Sequence, residues 1–196
     1  MNKYKKNCFV CFFVFTVLEL KMESKTNSKQ EEKQPITKTL WMIRHAESTH
    51  NAKAPHEPDE NFFNCGLTEK GKSQASKIQG PIDLLICSPL RRTLATYLHS
   101  NLKVKKFETM EELREWTTYG PSCMYELENP NIRETQAEFS ARVAKAIKLI
   151  QSKSESRIAI VSHGVTLGEM CRQLNLKTDY RWSNAEVRCF KNVVFS

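Results

Sequence analysis

The sequence predicts an α/β domain: a three-layer sandwich with a mostly parallel central sheet flanked by helices. Three observations predict it. Apolar runs of about four residues recur without polar alternation, at Leu40–Ile43, Leu84–Cys87 and Ile158–Val161, the pattern of strands buried on both faces. Each run ends in a polar cluster: Arg44-His45-Ala46-Glu47-Ser48, Ser88-Pro89-Leu90-Arg91-Arg92 and Ser162-His163-Gly164. Amphipathic segments lie between the runs, and alternation of strand with helix gives a parallel sheet. No internal repeat is present.

The elements follow in chain order. Residues 1–38 read as foreign to the rest, and residues 39–196 as the folded domain. Lys3, Lys5 and Lys6 precede an apolar run from Cys8 to Leu18, shorter than the roughly 20 residues of a membrane-crossing helix. The run resembles the charged and apolar regions of a signal peptide, yet Glu19-Leu20-Lys21 follows it in place of a small-x-small cleavage site. Met22 offers an alternative start. Residues 21–38 are polar, lack aromatics and are expected to form a disordered linker. The first strand is expected near Thr39.

Thr68 is placed to cap a helix over Glu69–Ile78. Pro89 fits the first turn of a helix reaching about Ser100. Glu134–Ser152 carries Ala137, Ala141, Ala144, Ile147 and Ile150 at helical spacing. Val165–Leu174 is a further helix, and Val187–Phe190 an edge strand. The stretch from Ala52 to Cys65, with Pro55, His56 and Pro58, reads as a lid or a surface loop.

The formal charge of +8 is split evenly, +4 on residues 1–38 and +4 on the remainder. The folded part is thus mildly basic, which suits a small anionic substrate and gives no reason to expect nucleic acid. Seven cysteines, an odd number without paired CxxC spacing, are expected to be reduced thiols in a reducing compartment. The chain is expected in the cytoplasm, with the secretory pathway as the alternative if residues 1–20 act as a signal or anchor. Membrane contact is expected only through residues 8–18.

In open α/β sheets, ligands bind beyond the carboxyl ends of the strands. The three polar clusters fall there and supply Arg44, His45, Arg92 and His163. Arginine forks match phosphate oxygens, and an imidazole serves as nucleophile or donor. These strand ends carry no acidic cluster for Mg²⁺, so side chains are expected to stabilise the transferring charge. A zinc site from His45, His50 and His56 lacks HExxH spacing. His50, His56 and His99 read as surface or turn residues, and Trp41 and Trp116 as core or pocket wall. No metal or cofactor is implied.

The order of motifs resembles the histidine phosphatase superfamily, which includes the cofactor-dependent phosphoglycerate mutases. Arg44-His45-Ala46-Glu47-Ser48 with Asn51 is similar to its RHG-E-S/T…N signature, with Ala46 for the commoner glycine. Leu67-Thr68-Glu69-Lys70-Gly71 with Gln74-Ala75 resembles its LTEKG…QA element. Ser88-Pro89-Leu90-Arg91-Arg92-Thr93 with Thr96 resembles SPLxRAxxT. Leu113-Arg114-Glu115 resembles LxE, Val161-Ser162-His163-Gly164 resembles VSHG, and Asn184-Ala185-Glu186 resembles the late N-x-E.

The resemblance implies a phosphoglycerate mutase-like fold and a phosphohistidine formed on His45. It implies that Arg44, Arg92 and His163 clamp the phosphoryl oxygens, with Asn51 as a secondary contact. Glu115 is implied as the acid that protonates the leaving oxygen and later deprotonates water. The spacing from Ser88 favours Arg92 over Arg91, and the LxE register favours Glu115 over Glu111 and Glu112. Mutases of the family carry longer insertions between the acid and the second histidine and a longer tail. The expected activity is therefore hydrolysis of a phosphomonoester, on a small metabolite or a phosphoprotein. A mutase and a non-catalytic phosphate-binding protein are the alternatives. Oligomeric state is not legible.

Overall fold

The computed structural model describes residues 37–52, 64–116, 134–179 and 181–195. The apolar run 8–18, the linker up to residue 36, and His56 with most of its loop lie outside the described residues.

Strand β1 (Thr37–Arg44) leads into a one-turn helix α1 (Thr49–Ala52). Helix α2 (Glu69–Ala75), strand β2 (Gln79–Cys87), helix α3 (Arg91–Leu98) and strand β3 (Asn101–Thr109) follow. A 3-10 turn at Glu111–Leu113 precedes helix α4 (Gln136–Gln151). Strand β4 (Arg157–Ser162), helix α5 (Gly164–Gln173) and strand β5 (Val187–Val194) complete the order. The five strands form one sheet, β3-β2-β4-β1-β5, parallel except for β5, which runs antiparallel to β1 at the edge.

Apolar side chains of the strands divide between the two faces, as the pleat requires. Leu40, Met42, Leu84, Ile86, Ile158 and Ile160 pack against Phe139 and Val143 of α4 and Leu167 and Met170 of α5. Ile43, Leu85, Ala159 and Val161 pack on the other side with Ile78, Leu94 and Tyr97. Those contacts make the expected three layers. Trp41 joins the second face and lies over Gly80, whose φ of 141° suits glycine and where a Cβ would come within 2.8 Å of the indole.

Several boundaries differ from the sequence expectation. The first strand begins at Thr37, two residues inside the expected linker. Lys38 is buried there, its ammonium donating to the carbonyl oxygens of Lys153 and Glu155. Helix α2 ends at Ala75, because the chain must turn into β2 at Gln79. Thr68 caps α2 as expected, accepting from Gly71 N at 3.0 Å. Helix α3 begins at Arg91, after Pro89, and Asn64 Oδ1 accepts its first amide at 2.8 Å. Helix α4 starts in a reciprocal capping box between Thr135 and Glu138. The unexpected strand is β3, an edge strand carrying Lys103, Lys105 and Lys106.

Cys65, Cys87, Cys171 and Cys189 are free thiols. Burial pushes the Cys171 thiol up to about 11, which keeps it protonated. Among the described residues no helix is long and apolar enough to cross a membrane.

Candidate active site

The parallel register brings the three polar clusters together. Arg44 lies opposite Ser162 across β1 and β4, and Cys87 lies opposite Val161 across β2 and β4. The backbone knits the first loop residues as well: His45 N donates to Ser162 O at 2.9 Å, and Ser88 N donates to Val161 O at 3.0 Å.

His45 is buried at 3% exposure. Its Nδ1 lies 2.8 Å from the Ala46 carbonyl. A carbonyl only accepts, so Nδ1 carries the proton and Nε2 keeps its lone pair. Burial, with Arg92 and Arg44 nearby, holds the imidazole well below its usual pKa and therefore neutral. The loop behind it is tied down from two sides. Ala46 N donates to Thr96 Oγ1 at 2.9 Å, and Glu47 N to Gln74 Oε1 at 2.9 Å. The Glu47 carboxylate accepts from Thr68 Oγ1 and Lys70 Nζ. Helix α2 approaches so closely that a Cβ on Gly71 would lie 2.0 Å from Glu47 O. From the chain's far end, Ala185 N and Asn184 Nδ2 both donate to His45 O, at 3.2 and 3.3 Å.

His163 is fully buried and is the N-cap residue of α5. Its Nε2 lies 2.9 Å from Ser88 Oγ, whereas its buried Nδ1 has no partner. Its ring centroid stands 5.2 Å from that of His45. Burial, then Arg92 and His45, keep it neutral. Arg92, on the first turn of α3, is 9% exposed. The Arg44 guanidinium donates from Nη1 to the Trp182 carbonyl, and its Nε is a second buried nitrogen without a partner. Buried polar atoms are almost always satisfied. The His163 and Arg44 nitrogens therefore suit a site that accepts oxygen atoms.

Glu115 follows the 3-10 turn and lies close enough to Arg92 and Arg44 to feel both charges. Removal from water raises its pKa above the ordinary carboxyl value, against the opposing pull of Trp116 N, Arg92, Thr166 and Arg44. Its Oε1 accepts from Trp116 N at 3.0 Å and Thr166 Oγ1 at 3.3 Å. Glu111 is exposed and paired with Arg114, and Glu112 is paired with Lys145 at 2.6 Å. Arg142 of α4 holds this whole segment. It donates to Glu112 O and Arg114 O at 2.8 and 2.9 Å, and both Glu134 oxygens accept from it at 2.6 Å. Ser162 Oγ and Thr166 Oγ1 add bonds to Leu113 O and Arg114 O.

Asn51 Oδ1 accepts from Asn184 Nδ2 at 2.9 Å and Ser48 Oγ at 3.1 Å, so a contact with phosphate would fall to its Nδ2. His50 and His99 are exposed. Among the described residues no group of three His, Cys, Asp or Glu is placed to hold a metal ion. Trp116 stacks on Phe139, and a cavity of about 430 Å³ opens beside Arg44 and Glu115. Sequence reasoning missed Arg142, Trp182 and the hydroxyl of Ser88 as positioning groups. Ser88, Thr68, Gln74 and Asn184 were visible as motif members, and Arg142 and Trp182 left no local signal.

A family profile described as histidine phosphatase superfamily (branch 1) matches residues 40–121. A curated relative, an agropine synthesis reductase of Rhizobium rhizogenes, is 34% identical over 148 residues, which is 66% of this chain and 34% of that protein. The chain thus spans about a third of that relative. The alpha-ribazole phosphatase of Shigella flexneri superposes with a TM-score of 0.55 at 21% identity, covering 81% of this chain and 96% of that one. A phosphoglycerate mutase of Bacillus anthracis str. Sterne gives 0.59 at 18% identity, covering 83% and 92%. These structural matches identify the fold as phosphoglycerate mutase-like.

Proposed function

We propose that the chain, whose residues 40–121 match the histidine phosphatase superfamily, is a metal-independent phosphomonoester hydrolase of that superfamily working through a phosphohistidine. One observation carries the reading: a buried, neutral His45 whose Nδ1–H is fixed on the Ala46 carbonyl, leaving Nε2 as the lone-pair nitrogen.

Nε2 of His45 attacks phosphorus as the bond from phosphorus to the ester oxygen breaks. The Glu115 carboxyl gives its proton to that oxygen, and a neutral alcohol departs. Arg44, Arg92 and His163 donate to the three phosphoryl oxygens, with Asn51 as a further contact, and these donors take the place of a metal. The Glu115 carboxylate then takes a proton from water. The water oxygen attacks phosphorus, the phosphorus–nitrogen bond breaks, and His45 regains its lone pair as inorganic phosphate forms. The phosphate donor is a small metabolite or a phosphoprotein, and free thiols suit the cytoplasm.

The reductase named among the relatives suggests no second reading for this chain. Its glycines, at 66, 71, 80, 120, 164 and 168, contain no G-x-G spacing, so the dinucleotide fingerprint is missing from this sequence.

Rapid quench with labelled substrate tests the proposal. An acid-labile, base-stable label is expected on His45, with turnover abolished in His45→Ala. A label on serine, aspartate or cysteine would overturn it.

A further inference from the structure

The cavity beside Arg44 and Glu115 is lined by neither His45 nor Arg92 nor His163, so it extends the site away from the phosphoryl cradle. It runs between α4 and α5 with a wall of Trp116, Phe139, Val165 and Gly168. Trp116 and Phe139 stand as a parallel stack, 5.2 Å between centroids and 11° between planes. At about 430 Å³, the volume falls at the lower end of the range for small-molecule sites.

Charge restricts the occupant further. Glu169 borders the cavity and is ionised: Arg172 beside it, with Ser140 and Gln173, holds its pKa down at about 2. Arg172 returns both Nε and Nη2 to the two oxygens of Glu169, at 2.8 and 2.6 Å. The pair closes on itself. Arg44 also borders the cavity, but the hydrolytic reading commits its guanidinium to the phosphoryl group, and Glu115 brings either a proton or a negative charge. The described lining therefore offers a second anionic group no uncommitted cation. A carboxylate or second phosphate placed there would lose water and meet Glu169.

We propose, on the footing of the hydrolytic reading above, that this cavity receives the leaving group and selects an uncharged, ring-bearing alcohol or phenol. The preferred substrates are monophosphates of bulky neutral alcohols, not compounds carrying a carboxylate or a second phosphate. The proton from Glu115 makes the departing oxygen neutral at the mouth of an apolar space, so the product alcohol is accommodated there without a counter-charge.

The test uses the full chain with four phosphate donors. Acetyl phosphate, small and activated, reports on the phosphohistidine centre alone. Benzyl phosphate, 3-phosphoglycerate and a phosphotyrosine peptide report on the cavity. Benzyl phosphate is expected to exceed 3-phosphoglycerate in kcat/KM by about tenfold or more. Val165 is 49% exposed, so substitutions there are compatible with the fold. Val165→Trp should reduce kcat/KM for benzyl phosphate about tenfold more than for acetyl phosphate, and Val165→Arg should raise 3-phosphoglycerate relative to benzyl phosphate. A phosphotyrosine peptide faster than benzyl phosphate would assign the ring to a protein side chain, and a slower one to a small molecule. Equal or better use of 3-phosphoglycerate, or equal losses in Val165→Trp for both donors, would overturn the cavity assignment while acetyl phosphate turnover kept the hydrolase reading intact. No turnover of acetyl phosphate and no label on His45 would remove both.

Discussion

Ser88 Oγ lies 2.9 Å from Nε2 of His163, and neither residue is exposed. The Ser88 oxygen also accepts from the amide of Leu90 at 3.5 Å, and we take its own proton to point at the imidazole. Nε2 then accepts, which leaves the proton on Nδ1, the nitrogen without a protein partner. In this arrangement His163 is neutral and still a donor towards a phosphoryl oxygen.

Ser88→Ala should therefore loosen both position and tautomer of His163. Stranding a buried ring nitrogen costs about 1–3 kcal/mol. Inhibition by inorganic phosphate should weaken and kcat fall about tenfold. Unchanged phosphate affinity, read by isothermal titration, would deny Ser88 this role.

Glu115→Gln should lower kcat on alkyl phosphates by a factor on the order of 10²–10⁴. The loss should shrink for p-nitrophenyl phosphate, whose leaving group needs little protonation, and His45 should still take up phosphate from it. An equal loss for good and poor leaving groups would give Glu115 a binding role instead. Glu112→Gln should be mild, since its carboxylate is engaged by Lys145.

Arg142→Met should disturb the acid from a distance. It releases the carbonyls of Glu112 and Arg114 and leaves the poorly exposed Glu134 carboxylate without its partner. A stability loss of about 3 kcal/mol is expected in urea unfolding. The fall in kcat should be steeper on poor leaving groups than on p-nitrophenyl phosphate. A uniform fall would mean that Arg142 acts on stability alone.

Acid should destabilise the fold early. His45 and His163 stay neutral when folded, whereas the unfolded chain protonates them below pH of about 6.5. The unfolded state then binds more protons, so stability falls as pH drops below about 6.5. Depressed carboxylates such as Glu169 act only in a lower window, below about 4.5. Melting temperature should decline between pH 7.5 and 5.5, and less so in His163→Asn. A flat profile in the unsubstituted protein would contradict the neutral, buried state of both rings.

Turnover should survive EDTA, because the proposed mechanism has Arg44, Arg92 and His163, not a metal ion, meet the phosphoryl charge. Loss on chelation, reversed by Mg²⁺ or Zn²⁺, would refute that assignment.

Much of this architecture is legible from the chain because buried strands leave unbroken apolar runs. Those runs end on the residues that converge, so position makes Arg44, His45 and His163 candidates, and the motif resemblance supplies the roles implied for them. Glu115 is different. Nothing local separates it from Glu111 and Glu112 except a motif register; in space the separation comes from Arg114, Lys145 and Arg142. Strand β3 was missed because Lys103, Lys105 and Lys106 give it a surface composition, which an edge tolerates. Lys38 concealed the start of β1 in the same way, since its ammonium is satisfied only by carbonyls more than a hundred residues later.

The position of β1 between β4 and β5 also sets an order of events during synthesis. The strand that leads into His45 is made first among the described strands, yet both its neighbours are translated more than a hundred residues afterwards. Closing such long loops is slow. At about 5–20 residues per second, β1 waits several seconds with both edges open. We expect helices α2 and α3 and the β2–β3 pair to form on the ribosome before any phosphate site exists. A nascent chain stalled before Val187 should accordingly resist proteolysis around Gln79–Thr109 while failing to take up label on His45.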